Sequence, residues 1–260
     1  MRIASVGHTV FSVNMIGLGI VGLLYWDFVP VWNPVPGNVP ARELFIYLGA
    51  LISLTSGIGL FVPRMANIAA RLLLATLLLW LLLFRLPNFL HEPLFAACWT
   101  VFPLAVMLAA AWVLYVWFAA DWDRKHLSFV SSNNGLRIAR VLYGLSLIFF
   151  GMAHFLAVQA TTPLVPNWLP AHLFWAYFTG STFIAAGVAV LIGLYARLAT
   201  ALSALQIGLF LVLVWIPIVA AGSKVPFQWS ETILNTALLA AAWVIADSYR
   251  NTPWLAANSR

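Results

Sequence analysis

Charge is what this sequence is shortest of. Asp, Glu, Lys and Arg make up 8% of its 260 residues, against about 25% in a soluble domain. With 63% hydrophobic residues, an aqueous fold has too little polar surface to cover itself, and lipid is the solvent expected for most of the chain. Cysteine is nearly absent too. The single Cys98 excludes an intrachain disulfide, a CxxC relay, c-type haem attachment and a multi-cysteine metal site. Its neighbours are apolar and no base adjoins it, so a thiolate nucleophile is not expected. Also missing are Walker A, GxSxG and DxDxDG motifs and the metal spacings HxxxH and HExxH. The net charge of +6 reads as the positive-inside bias of a membrane protein, with no nucleic acid as partner.

What the chain has is long apolar runs. About 20 apolar residues cross the hydrocarbon. Eight such runs are found, at 5–26, 43–62, 66–86, 95–118, 137–157, 173–193, 196–217 and 229–247. The first follows Met1-Arg2-Ile3 as a signal peptide would. It holds His8 and Asn14 and ends at Trp26-Asp27 without a small-x-small cleavage site, so it reads as a retained span. Eight spans put Arg2, Arg64, Arg71, Arg124, Lys125, Arg137, Arg140, Arg197, Arg250 and Arg260 on one side and Arg42, Arg85 and Lys224 on the other. That asymmetry orients both termini to the cytoplasm, in an inner (cytoplasmic) membrane.

The pattern of spans is stated twice. Tyr47, Gly57, Ala66, Leu72 and Pro87 recur as Tyr177, Gly187, Ala196, Leu202 and Pro217, and Ala109-Ala110-Ala111-Trp112 recurs as Ala240-Ala241-Ala242-Trp243. The expected architecture is therefore all-α and integral to the membrane: eight transmembrane helices forming two parallel four-helix repeats, 1–120 and 137–250. A cytoplasmic linker, 121–136, joins them, and 251–260 is a cytoplasmic tail. An even number of spans per repeat gives both copies one orientation, so an axis along the membrane normal relates them. Small residues at Ala185, Ala189 and Gly193, and at Ser53, Gly57, Thr55 and Gly59, read as packing stripes. The charged linker reads as a solvated connector, and Arg137 and Arg140 as anchors to phosphate headgroups.

Ionisable groups in a bilayer are costly and mark partners or cavities. Most here lie towards the outer surface: Asp27, Arg42, Glu43, Arg85, His91 and Glu92, then His154, His172, Lys224 and Glu231, with Asn235 one turn below Glu231. The midplane holds only Asn14 and Gln206, too little for a staggered ion pathway. His154 stands out, one turn inside span five and opposite Tyr25 in the first copy. Three roles are open to it: a bond to a loop carbonyl, a hydrogen bond to a ligand headgroup such as a quinone carbonyl, or a metal or haem ligand. Arg85, opposite Trp215, is expected to snorkel to the interface or to pair with Asp27 or Glu43. The outer loops are rich in proline and tryptophan, including Trp32, Trp168 and Trp229, and suit an aromatic belt.

Residues 137–220 resemble the DoxX family of small four-helix membrane proteins. The resemblance rests on Gly151-x-x-His154-Phe155, Val165-Pro166-x-Trp168-Leu169-Pro170, Tyr177-x-x-Gly180, Arg197-x-Ala199 and Pro217. The first copy is similar through Pro40, Tyr47, Gly57, Arg64 and Pro87. The resemblance implies a four-helix unit in the cytoplasmic membrane. Some members are linked to membrane oxidoreductase complexes, including a thiosulfate:quinone oxidoreductase subunit. Relatives often carry a glutamate three residues after the glycine of the second span of the unit. Here that position is Phe183, and Ser53 in the first copy, which puts any proton or quinone chemistry of that acid in doubt.

The functional expectation is a quinone- or lipid-binding subunit or accessory of a membrane oxidoreductase system, with electrons supplied by a partner protein. Ligand contacts are expected from His154, Tyr25, Glu231, Asn235, Trp168 and Arg85. The alternative is a non-enzymatic scaffold or assembly factor that meets its partner through the outer loops. A small-molecule transporter fits the dry midplane less well.

Overall fold

A computed structural model describes residues 4–257; Arg2 and Arg260 lie outside the described residues. Every element in it is helical, and eight helices are long and apolar enough to cross a membrane. They are α1 (Val6–Tyr25), α2 (Arg42–Phe61), α3 (Ala66–Leu90), α4 (Leu94–Phe118), α5 (Asn133–Leu156), α6 (His172–Ile192), α7 (Ala196–Ala220) and α8 (Pro226–Asp247). In lipid each backbone group must be satisfied within its own segment, and a helix does that. Ser5 and Ser132 cap α1 and α5 by accepting from His8 N and Asn134 N. The chain is a multi-pass membrane protein. The start of α1 meets the end of α8, where Gly7 N donates to Asp247 Oδ2 at 2.7 Å. That end is the terminal face; the other is the distal face.

Helices α4 and α8 meet at the centre. Ala109–Ala111 and Ala240–Ala242 are fully buried there, because only small side chains let the central backbones come close. Helices α1, α2 and α3 pack in sequence beside α4, and α5, α6 and α7 beside α8, while α1 touches α8 and α5 touches α4.

Several local features occur once in each half. Ala41 and Ala171, 130 residues apart, precede α2 and α6 in the left-handed region, at φ 53° and 55°. Helices α3 and α7 each widen into one π turn, Leu81–Arg85 and Leu211–Trp215. Pro87 and Pro217 follow two residues later. A proline ring collides with the carbonyl four residues back, and the wide turn relieves that collision.

The helix crossings share one register. A Cβ on Gly57 would lie 2.7 Å from Ser12 O, and one on Gly187 2.5 Å from Gly144 O. A Cβ on Gly19 would lie 2.6 Å from Leu54 N, and one on Gly151 2.5 Å from Gly180 O. By these contacts Ser12, Gly19 and Gly22 of α1 stand where Gly144, Gly151 and His154 stand in α5. The counterpart of His154 is therefore Gly22 and not Tyr25. Ala185 is exposed and Ala189 only half-buried, so the packing face of α6 is Gly180, Phe183, Gly187 and Val190.

Candidate functional site at the distal end

The two halves treat their first distal loop differently. In the first half the loop folds into the bundle. Phe28, Val29, Val31, Trp32 and Val35 are all buried. The Trp32 indole donates to Ser53 Oγ at 2.9 Å, Ser53 Oγ donates to Gly49 O at 2.7 Å, and Trp80 Nε1 donates to the Trp32 carbonyl at 2.9 Å. The rings of Trp32 and Trp80 meet edge to face at 5.0 Å.

Arg85 holds this loop. Its guanidinium donates to the carbonyls of Val31, Asn33 and Pro34 and is fully buried. The Asn33–Pro34 bond is cis. Neither snorkelling nor a pair with Asp27 or Glu43 is found: Asp27 pairs with Arg42 at 3.3 Å. The rigid fork of arginine suits several carbonyls at once. Arg85 Nε has no partner among the described residues.

In the second half Trp215 replaces Arg85, and the loop stays on the surface of the bundle without entering it. No residue from Ala157 to Ala171 is buried. A groove of about 380 Å³ lies between Pro163–Trp168 and the stretch Val212–Ile218 of α7. Trp168 lines it while remaining 69% exposed.

His154 sits half-buried at the α5–α6 crossing. A Cβ on Gly180 would lie 2.8 Å from His154 Cβ, so α5 carries a side chain at this position only against a glycine. Its ring stacks on Phe210 at 5.7 Å and leans on Phe183 at 5.7 Å. Phe183 packs here as a core aromatic. Nδ1 lies 2.7 Å from the Phe150 carbonyl of its own helix. A carbonyl only accepts, so Nδ1 carries the proton and Nε2 of the neutral ring is an acceptor. No described residue bonds to Nε2, and the expected bond to a loop carbonyl is replaced by this one within the helix.

The remaining candidates are spread out. Glu231 is half-buried on α8, and its carboxyl takes no partner among the described residues; Asn235 is buried below it and donates to the Glu231 carbonyl at 3.0 Å. Tyr25 is 78% exposed at the end of α1. Arg85 belongs wholly to the first-half loop. At the midplane Gln206 is satisfied by Thr179 and Thr182. Among the described residues no three His, Cys, Asp or Glu side chains come together as a metal site.

The terminal face holds a polar cluster that composition does not reveal. The linker contains a short helix, Asp121–His126, and its Asp123 is fully buried rather than solvated. The carboxylate accepts from Asn67 at 2.7 Å, Arg71 at 2.8 Å, Tyr115 at 2.9 Å and Ala120 N at 3.1 Å. Burial works to raise its pKa, but these donors outweigh it and hold the carboxyl below the ordinary value. Arg140 caps the end of α8 through Ser248 and lies 3.8 Å over the Tyr249 ring, so it braces protein instead of reaching for headgroups. The guanidiniums of Arg71 and Arg197 cover Trp122 and Trp254 at 5.2 and 4.0 Å. In both halves the chain after the fourth span thus folds back on the third. His8 is buried, bonded through Nε2 to Leu60 O at 3.1 Å and accepting from Ala4 N at 3.3 Å.

Comparison with protein-family models, with curated proteins and with solved structures finds no match to this chain. The asymmetry between the halves is therefore the main guide to a site. The signal for it in the sequence is the exchange of Arg85 for Trp215 and of Ser53 and Gly22 for Phe183 and His154.

Proposed function

We propose that this protein is a DoxX-like, two-repeat membrane protein that binds the headgroup of a membrane-soluble amphiphile at His154, as part of or alongside a membrane oxidoreductase system. The two repeats run parallel, related by an axis along the membrane normal. The paired left-handed alanines, π turns and glycine crossings support that arrangement. Both termini lie in the cytoplasm of a cell whose inner membrane holds the protein, so the distal face points outward. The basic residues of the terminal face support that orientation.

One observation carries the ligand reading: an imidazole in an aromatic setting, with one nitrogen tied to its own helix and the other an unused acceptor. An acceptor at Nε2 favours a hydroxyl-bearing headgroup, so a quinol binds more tightly than the corresponding quinone. Glu231 and Asn235 are the remaining polar candidates of this half. Electrons come from a partner protein, because this chain offers no cofactor motif of its own.

The test is purification in mild detergent followed by lipid extraction and mass spectrometry. Wild type should retain quinol or quinone, and His154→Ala should lose it. Retention by neither, or equal retention by both, sinks the reading. A stoichiometric partner protein with no bound small molecule would favour the scaffold alternative.

A further inference from the structure

Phe227, Glu231, Asn235 and Leu239 recur at every fourth position of α8 and so lie along one side of the helix. Both ends of that stripe touch α7. The Phe227 ring lies 6.4 Å from that of Trp215, and a Cβ on Gly208 would lie 3.4 Å from Leu239 Cδ1. Glu231 and Asn235 therefore sit between these two contacts, alongside the π turn Leu211–Trp215. Asn235 is 9% exposed and donates through Nδ2 to the Glu231 carbonyl at 3.0 Å. A carbonyl only accepts, which fixes the amide and leaves Oδ1 as its second polar atom. Neither that Oδ1 nor the half-buried Glu231 carboxylate takes a partner among the described residues. The ion pairs among those residues are Arg42–Asp27 and Arg71–Asp123, so no cation of the chain serves Glu231.

The matching place in the first half satisfies itself. With Ala109–Ala111 set against Ala240–Ala242, Glu231 corresponds to Thr100 and Asn235 to Leu104. Thr100 Oγ1 accepts from Asn88 Nδ2 at 3.1 Å and donates to Ala97 O at 2.9 Å, and Leu104 is buried. In the second half Ile218 stands for Asn88 and brings no donor. What remains are the two carboxylate oxygens and the amide oxygen, all acceptors, in a span where an uncompensated charge is costly. These oxygens select their ligand. A calcium-like ion takes about six to eight oxygens, far more than two side chains supply. A primary ammonium carries one N–H for each oxygen, and its charge offsets the carboxylate. The rings of Trp215 and Phe227 beside the site attract such a cation. A trimethylammonium has the charge and no N–H to donate.

We propose that Glu231 and Asn235 bind a primary alkylammonium group between α7 and α8, beside the rings of Trp215 and Phe227. The group is carried by a water-soluble amine or by an ethanolamine phospholipid headgroup. The proposal does not rest on quinol binding at His154. It is tested by calorimetric titration of butylammonium and of butyltrimethylammonium into the protein in phosphatidylcholine nanodiscs, with empty nanodiscs as the blank. Wild type should bind butylammonium saturably and about tenfold more tightly than the trimethylated probe. Glu231→Gln should lose about tenfold in affinity and Asn235→Leu about threefold, while Glu92→Gln, at an exposed acid of the distal face, changes nothing. Thermal unfolding identifies the variants that fold, and Glu231→Thr, the first-half residue, replaces a Gln variant that does not. Phosphatidylethanolamine added to the nanodiscs separates the sources. Competition with butylammonium assigns the lipid headgroup, an unchanged titration assigns the soluble amine, and either upholds the site. No saturable binding by wild type, equal affinity for the two probes, or affinity that survives a folded Glu231 variant overturns the proposal. A carboxyl that is simply protonated gives the first of these results. The quinone extraction reads none of them, so each idea can fail alone.

Discussion

Two residues decide how the halves differ, and each makes a measurable prediction. Gly180 is the space in which His154 stands; in the first half the larger partner is on the other helix, with Gly22 facing Ala50. Gly180→Ala places a methyl 2.8 Å from His154 Cβ and should destabilise the protein by about 1–3 kcal/mol. Adding His154→Gly recreates the first-half arrangement and should restore most of that loss. Equal stability of the single and double variants would show that the contact is not the cause. The coupling is read as a double-mutant cycle from thermal unfolding in detergent. Arg85 satisfies carbonyls of a buried loop, so Arg85→Leu leaves acceptors without donors and should cost about 3 kcal/mol. Arg85→Lys should recover only part, because an ammonium lacks the planar fork. The accompanying readout is protease cleavage within residues 27–40, which should become fast in Arg85→Leu and stay slow in wild type.

At the scale of elements, apolar run length located the helices well: the runs at 5–26 and 95–118 correspond to Val6–Tyr25 and Leu94–Phe118. A helix in lipid is dictated by composition over a window, which a sequence displays directly. The π turns were invisible, since Leu81–Arg85 and Leu211–Trp215 are as apolar as their surroundings and only the following prolines hint at them. Long-range polar partners were equally hidden. Asp123 looked like one charge in a solvated connector because its donors, Asn67, Arg71 and Tyr115, come from two other helices. His154 was legible as an unusual residue in a span; that its register partner is Gly22, and that its free nitrogen is an acceptor, required the crossing geometry. The linker helix carries the next prediction. Because the folded Asp123 carboxyl titrates below its ordinary 3.8, its contribution to stability is complete above that value and is lost as pH falls through the folded pKa. Asp123→Asn should therefore be less stable than wild type at neutral pH by about 2 kcal/mol, with the difference shrinking in strong acid. A difference independent of pH down to the acid limit would mean that the carboxylate charge plays no part. Tyr249, pushed up by burial and partly drawn back by the Arg140 guanidinium over its ring, contributes nothing to that acid window.

For the whole molecule, the central fact is that two halves of similar build meet through α4 and α8 while differing in how they close their distal loops. Sidedness decides what each loop can meet. If the proposed orientation holds, the loop at 157–171, the groove beside it and Lys224 face the outside, and the Asp123 cluster faces the cytoplasm. The single native thiol makes this testable. Replacing Cys98 with serine gives a cysteine-free chain, into which one cysteine is placed at Lys224 or at Lys125. Both positions are exposed, and neither side chain makes a bond in the structure, so the fold should tolerate both. A membrane-impermeant maleimide added to intact cells should label Lys224→Cys and leave Lys125→Cys untouched until the membrane is permeabilised. The opposite pattern would invert the molecule, place the groove and His154 on the cytoplasmic leaflet and move any quinol chemistry to the cytoplasmic side. Labelling of both positions in intact cells would contradict the odd–even alternation that places residues 125 and 224 on opposite faces of an eight-span bundle, and with it the shared orientation of the two halves.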